Sequence, residues 1–102
     1  MDDNQIRVVE NPAELRYELW VDGSRACFIA YRREPGAVVL VHTDIDPLYE
    51  GRGLGSRLVA GALDDVHRRG LRLVPRCPFV AAYLRRHPED ADLVVRDPEP
   101  GE

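Results

Sequence analysis

The sequence predicts a mixed α/β domain, an α+β sheet of antiparallel strands followed by a β-α-β-α segment and a short closing strand. Three observations predict it. Strand-forming runs between residues 16 and 45 are separated by turn dipeptides, and residues 54 to 66 carry a helical apolar stripe. Between them lies "YEGRGLGS", with Gly51, Gly53 and Gly55 at alternate positions. At 102 residues the chain is long enough for one core and too short for two.

The first run, Arg16 to Val21, alternates polar and apolar residues and stops at Asp22-Gly23, a two-residue hairpin signal. The second, Arg25 to Arg33, ends at Pro35-Gly36, another turn. The third, Ala37 to Ile45, opens with consecutive apolar residues, as a strand covered on both faces does, and Pro47 closes it. Simple alternation puts Leu40, His42 and Asp44 on one face of this strand. From Leu54 onward, Leu58, Val59, Ala62, Leu63 and Val66 form one stripe of an amphipathic helix, which Gly70 stops after Arg68 and Arg69. "LRLVP", 71–75, reads as a short strand. "CPFVAAYLRRHP" reads as a second helix with Pro78 near its start and Pro88 at its end. "DLVV", 92–95, reads as a last strand. The domain thus spans 6–96, and 97–102 is a polar tail expected to be disordered.

An apolar fraction of 44% and a charged fraction of 31% are ordinary for a globular protein. No stretch approaches the roughly 20 apolar residues of a membrane span. "MDDNQIRVVE" lacks the basic flank and apolar run of a signal peptide, so the expectation is a cytoplasmic protein with no membrane partner. Cys27 and Cys77 do not have zinc-site spacing, so no metal is expected, and they read as reduced thiols. A net charge of −4 argues against nucleic acid as the main partner. All 14 basic residues are arginine, and a chain without lysine cannot modify its own lysine side chains.

A strand, a glycine-rich turn and a helix N-terminus together make a place for an anion. The first amides of a helix have no partner within it, and the dipole favours negative charge there. "GRGLGS" is not a Walker loop, because the Gly-Lys-Ser/Thr ending is missing. It is not a dinucleotide fingerprint either, since Ser56 stands where the third glycine would be. The glycines alone leave two readings, a pyrophosphate site or a tight packing turn.

The flanking residues add a resemblance. "DIDPLYEGRGLGSRLV" resembles the cofactor-binding motif of the GNAT superfamily of acetyl-coenzyme A-dependent N-acetyltransferases. There a strand ends in valine or isoleucine, a proline follows two residues on, and Arg/Gln-x-x-Gly-x-Gly/Ala opens a helix. Ile45, Pro47 and Gly53-Leu54-Gly55 take those places. With "LVPRCPFVAAYLRRHPEDADLV", the chain from about Ile6 to Val95 is similar to a compact subgroup that lacks N-terminal helices and carries a P-x-C-x-aromatic-V segment.

The resemblance implies a minimal GNAT-like acyl-CoA N-acyltransferase fold with acetyl-CoA (coenzyme A) as cofactor. It implies transfer of the acetyl group to the primary amine of a small molecule, peptide or protein, by a monomer or homodimer. The pyrophosphate would lie on backbone amides of Gly51, Arg52, Gly53, Leu54, Gly55 and Ser56. Backbone groups near Thr43, Asp44 and Ile45 would face the pantetheine arm. Glu50 departs from the pattern by standing where arginine or glutamine is usual. Its carboxylate opposes a phosphate unless it points to solvent, with Arg52 and Arg57 near enough to offset it.

Larger members of the superfamily use a glutamate on the strand before the loop as base and a tyrosine on the later helix as acid. Here that strand offers only His42, Thr43 and Asp44. The tyrosine place, counted from Cys77, falls on Leu84, and Tyr83 would point about 100° away. Cys77 precedes Pro78 and so occupies or adjoins a helix N-cap, a place that favours a thiolate, and Arg76 beside it acts the same way. The resemblance implies Cys77 as an acetyl-accepting nucleophile and His42 as a base or orienting group. Both are expected nearest the thioester, between the splayed strands 37–45 and 71–75. The competing reading makes Cys77 a small buried hydrophobe and the chain a non-catalytic acyl-CoA-binding sensor, or a domain that uses only the fold. The arginines between 68 and 86 read as a solvated face.

Overall fold

The computed structural model describes residues 5–94. Five strands form one sheet in sequence order: β1 (Ile6–Asn11), β2 (Arg16–Val21), β3 (Ser24–Glu34), β4 (Ala37–Ile45) and β5 (Arg72–Pro75). The first four are antiparallel neighbours joined by short turns. Helix α1 (Leu54–Arg68) crosses from β4 to β5, so these two strands run parallel. A parallel pair needs a crossover of that kind. Helix α2 (Pro78–Arg86) follows β5, and 3-10 turns form at Pro47–Tyr49 and Pro88–Leu93.

Both hairpin dipeptides turn where expected, at Asp22-Gly23 and Pro35-Gly36. Two expectations need correction. Strand β1 is an additional strand, unassigned from sequence because no hairpin dipeptide separates it from β2. The chain turns instead through 12–15, with Glu14 N–H donating to the Asn11 carbonyl and Leu15 held at φ 55°. The expected closing strand at 92–95 is not formed. Asp92 and Leu93 end a 3-10 turn, and Val94 makes a single parallel bridge to Leu73. Val95, Arg96 and the tail 97–102 lie outside the described residues.

The stripe of α1 packs on the inner face of the sheet, where Leu58, Val59, Ala62 and Val66 meet Leu19, Ile29, Leu40 and Leu73, all buried. α2 packs beside α1 and adds Val80 to the same core. The outer face is polar and aromatic. Its one buried acid, Glu18, accepts hydrogen bonds from Arg16, Asn11 and Trp20. Burial pushes this carboxyl up, but the three donors outweigh burial and hold it below its ordinary value. A further network ties the sheet to the end of α1. Tyr17 donates to Asp65 at 2.7 Å, Asp65 takes Arg69, and Glu10 joins Arg69, Arg33 and the Tyr31 hydroxyl.

One irregularity positions the site. Tyr31 pairs with Leu40 and Ala30 with His42, so Val41 is an extra residue without a partner on β3. Such a bulge breaks the two-residue alternation. Beyond it, Thr43 and Ile45 share the inner face with Leu40, while His42 and Asp44 turn outward and are exposed. This corrects the expectation that Leu40, His42 and Asp44 share one face.

Candidate functional site

The chain between β4 and α1 is folded by its own polar groups. Asp46 accepts the Leu48 amide at 2.9 Å and caps the 3-10 turn, and the Arg52 guanidinium lies 5.3 Å from the Tyr49 ring centroid. Gly51 and Gly53 have φ of 81° and 74°, the left-handed region that residues with a β-carbon avoid. Gly53 is the N-cap of α1 and supplies no side-chain hydrogen bond to the first turn. The first hydrogen bond of the helix runs from Arg57 N–H to the Gly53 carbonyl. The amides of Leu54, Gly55 and Ser56 therefore have no helical partner.

These amides border a cavity of about 270 Å³ lined by Ile45, Tyr49, Glu50, Gly51, Gly53, Leu54, Gly55, Ser56, Phe79 and Arg86. A β-carbon on Gly51 or Gly53 would meet nothing within 4 Å. On Gly55 it would come within 2.6 Å of Phe79 and 3.0 Å of Ile45. The three glycines thus answer to two causes. Gly51 and Gly53 shape the loop and leave its mouth bare, and Gly55 lets α2 pack against α1.

The second part of the site is a fork in the sheet. β5 pairs with β4 only from Ala37 to Leu40. The Leu40 carbonyl then accepts both the Arg76 and Cys77 amides, at 3.0 and 2.9 Å, and β5 ends. Cys77 becomes the N-cap of α2, with Pro78 at the first helical positions where a missing N–H costs nothing. Cys77 is 3% exposed, and its Sγ lies 3.1 Å from Thr43 Oγ1.

The structure brings the expected loop residues Gly51, Gly53, Leu54, Gly55, Ser56 and Ile45 to one cavity. Arg52 is exposed and stacked on Tyr49 rather than lining it. Thr43 meets Cys77 at the fork. His42 and Asp44 do not join them. His42 faces outward opposite Ala30, and Asp44 lines a shallow outer cavity with Arg25, Phe28 and Asp46. The expectation that Cys77 and His42 both lie at the fork is therefore corrected: Thr43 meets Cys77 there and His42 does not, because the Val41 bulge shifts the alternation by one.

Glu50 is exposed, yet its residue lines the cavity. Tyr83 is buried and stacks on His87 at 3.9 Å between ring centroids. It lines a separate cavity with Leu63, Asp64, His67 and Asp90. Burial, and then the Asp90 and Glu89 carboxylates, raise its phenol above the ordinary value. Cys27 is enclosed in the core, and burial alone pushes its thiol up to about 11. Among the described residues no cluster of His, Cys, Asp and Glu is placed to hold a metal, and no helix is long and apolar enough to cross a membrane.

Sequence reasoning missed Tyr49, Phe79 and Arg86 as cavity residues. Phe79 left a signal, since an aromatic in the first turn of α2 faces Gly55. Arg86 left none beyond its charge.

A family model described as GCN5-related N-acetyl-transferase matches residues 16–93. No curated protein matches the chain. Several solved structures are similar in fold, two of them as follows. The ribosomal-protein-S18-alanine N-acetyltransferase from Escherichia coli aligns at 20% identity over 72% of this chain with a TM-score of 0.58. The chain spans 66% of that enzyme, just under two thirds of its length. A GCN5-like protein from Staphylococcus aureus, solved in solution, aligns at 16% identity with a TM-score of 0.67 and covers 94% of each chain.

Proposed function

Because the chain belongs to the GCN5-related N-acetyltransferase family, we propose that it binds acetyl-coenzyme A and transfers the acetyl group to a primary amine. One observation carries the reading. The uncapped first turn of α1 opens on a cavity where Gly51 and Gly53 face empty space, and its lining residues Ile45 and Phe79 each stand two residues along the chain from Thr43 and Cys77 of the fork. The residues present fit a diphosphate. Three unpaired amides at a helix N-terminus donate to anionic oxygens, and the dipole adds to their attraction. Glu50 is the one lining group that opposes it.

Acetyl-coenzyme A supplies an acetyl group activated as a thioester. The chain's own residues do the rest. The loop from Gly51 to Ser56 holds the phosphates, and Ile45 offers apolar surface beside them. At the fork we assign Cys77 the role of nucleophile, with Thr43 fixing the position of its sulfur. A buried thiol held by one hydroxyl spends little entropy on orientation when it reacts.

A second reading is favoured by one observation. His42 lies on the outer face, so no imidazole adjoins Cys77 to take a proton. On this reading the chain is an acyl-coenzyme A sensor that binds without turnover. The test is a calorimetric titration with acetyl-coenzyme A beside ATP, followed by release of free coenzyme A over a panel of amines. Selective binding with amine-dependent release is the expected result. Binding without release supports the sensor, and no binding, or equal binding of ATP, overturns both.

A further inference from the structure

We propose that Arg86, at the far end of α2, is the phosphate-binding cation of the loop cavity and sets its preference for a diphosphate ligand. The inference rests on the reading that this cavity takes coenzyme A. Two charged side chains line it, Glu50 and Arg86. A diphosphate entering the mouth meets the amides of the α1 terminus and the Glu50 carboxylate, whose field cancels part of what the amides offer. A cation is needed to restore the balance. The loop's own arginines do not supply it from the lining: Arg52 lies over Tyr49, and neither Arg52 nor Arg57 lines the cavity. Arg86 does, from 30 residues further along the chain.

Placement makes the assignment specific. Arg85 and Arg86 both occupy the last turn of α2, where a positive charge complements the helix dipole. Arg86, but not Arg85, lines the loop cavity. Its guanidinium presents a planar fork of donors that matches two phosphate oxygens at once, whereas an ammonium acts as a point charge. The other end of the same helix is Cys77. Nine residues at about 1.5 Å per residue separate the two ends by roughly 13 Å. One short helix therefore carries the thiol at its head and the cation at its foot.

The experiment is an equilibrium titration of the intact protein and of Arg86→Ala and Arg86→Lys with three probes: coenzyme A, dephospho-coenzyme A and phosphate-free pantetheine. Arg86→Ala should weaken coenzyme A and dephospho-coenzyme A alike by roughly 10-fold or more, the scale of one charge-assisted hydrogen bond. It should also flatten the salt dependence and leave pantetheine binding unchanged. Arg86→Lys should recover part of the loss. A variant that binds coenzyme A as tightly as the native chain overturns the proposal and leaves the cofactor reading standing. A loss confined to coenzyme A, absent with its dephospho form, overturns the assignment to the diphosphate. A loss shared by pantetheine overturns it too, since the change would then be in the fold. Failure of the native chain to bind coenzyme A overturns this proposal together with the reading beneath it.

Discussion

Thr43 Oγ1 and Cys77 Sγ lie 3.1 Å apart across the fork between β4 and β5. These are the polar side-chain groups that meet there, and each is held by backbone pairing: Thr43 by Ile29 on β3, and Cys77 by its amide on the Leu40 carbonyl. If Cys77 acts as nucleophile, Cys77→Ala should lower turnover by about 10²-fold or more while coenzyme A still binds. Thr43→Val keeps the shape and removes the hydroxyl. It should lower kcat by about 3- to 10-fold with KM unchanged. Steady-state kinetics on both variants decide this, and full activity in Cys77→Ala would remove the thiol from the reaction.

Gly55 and Phe79 make the second pair. A β-carbon on Gly55 would sit 2.6 Å from Phe79 Cζ, inside any real contact distance. Gly55→Ala should therefore cost about 1–3 kcal/mol, and each kcal/mol lowers Tm by about 4–8 °C in a domain of this size. Phe79→Leu in the same chain should return part of that loss. Thermal unfolding of the two single variants and the double variant measures the coupling, and strict additivity would show that the clash is relieved elsewhere.

Glu50 offers a gain rather than a loss. Replacing it by Gln removes the one carboxylate lining the loop cavity and keeps the side chain's length. Coenzyme A should bind about 5-fold more tightly at low salt, the effect of one screened charge near 4 Å, and the gain should shrink as salt is added. Titration at two ionic strengths reads it, and an unchanged affinity would place Glu50 out of reach of the phosphates.

The pH dependence of stability has two limbs with different owners. Glu18 is held below its ordinary value in the folded chain, so its contribution is present above the ordinary carboxylate range and lost as pH falls through the lowered folded value. Burial, then the hydrogen bond to Glu10, raises Tyr31 from 10.0 to about 12. Its contribution is complete below about pH 10 and is lost as pH rises toward 12. Tyr17, raised by burial and then by Asp65, acts in the same direction. Glu18→Gln should flatten the acid limb and Tyr31→Phe the alkaline one, measured as denaturant midpoints from pH 3 to 11.

Much of this was legible before any coordinates. Asp22-Gly23 and Pro35-Gly36 carry their turns in the backbone freedom of glycine and the fixed angle of proline, and the stripe from Leu54 to Val66 has a single helical phase. The break between β4 and α1 was legible in Pro47 and the glycines that follow it. The Val41 bulge was not. "AVVLV" is apolar throughout, so no polar residue within it marks which position drops out of the ladder. The closing strand failed for a different reason. "DLVV" has strand composition, but a strand needs a partner over several residues, and the chain passes Leu73 at one point. Arg86 was invisible as a cavity residue because nothing local to "YLRRH" records that the end of α2 borders the loop cavity.

The Val41 bulge has a consequence for folding. Were Val41 drawn into the ladder, the rest of β4 would slip by one. His42 and Asp44 would then turn into the apolar layer beneath the helices, and Thr43 would leave Cys77. Burying an unpaired carboxylate costs several kcal/mol, so the wrong register is excluded by the residues it would hide. A chain with His42→Val and Asp44→Val loses that penalty and should show two sets of amide resonances along β3 and β4, where the native chain shows one. A single set would mean that the bulge is fixed by β3 alone. His42 and Asp44, which take no part at the fork, thus act as sentries of the strand: their work is done in the competition between alignments, before the site exists.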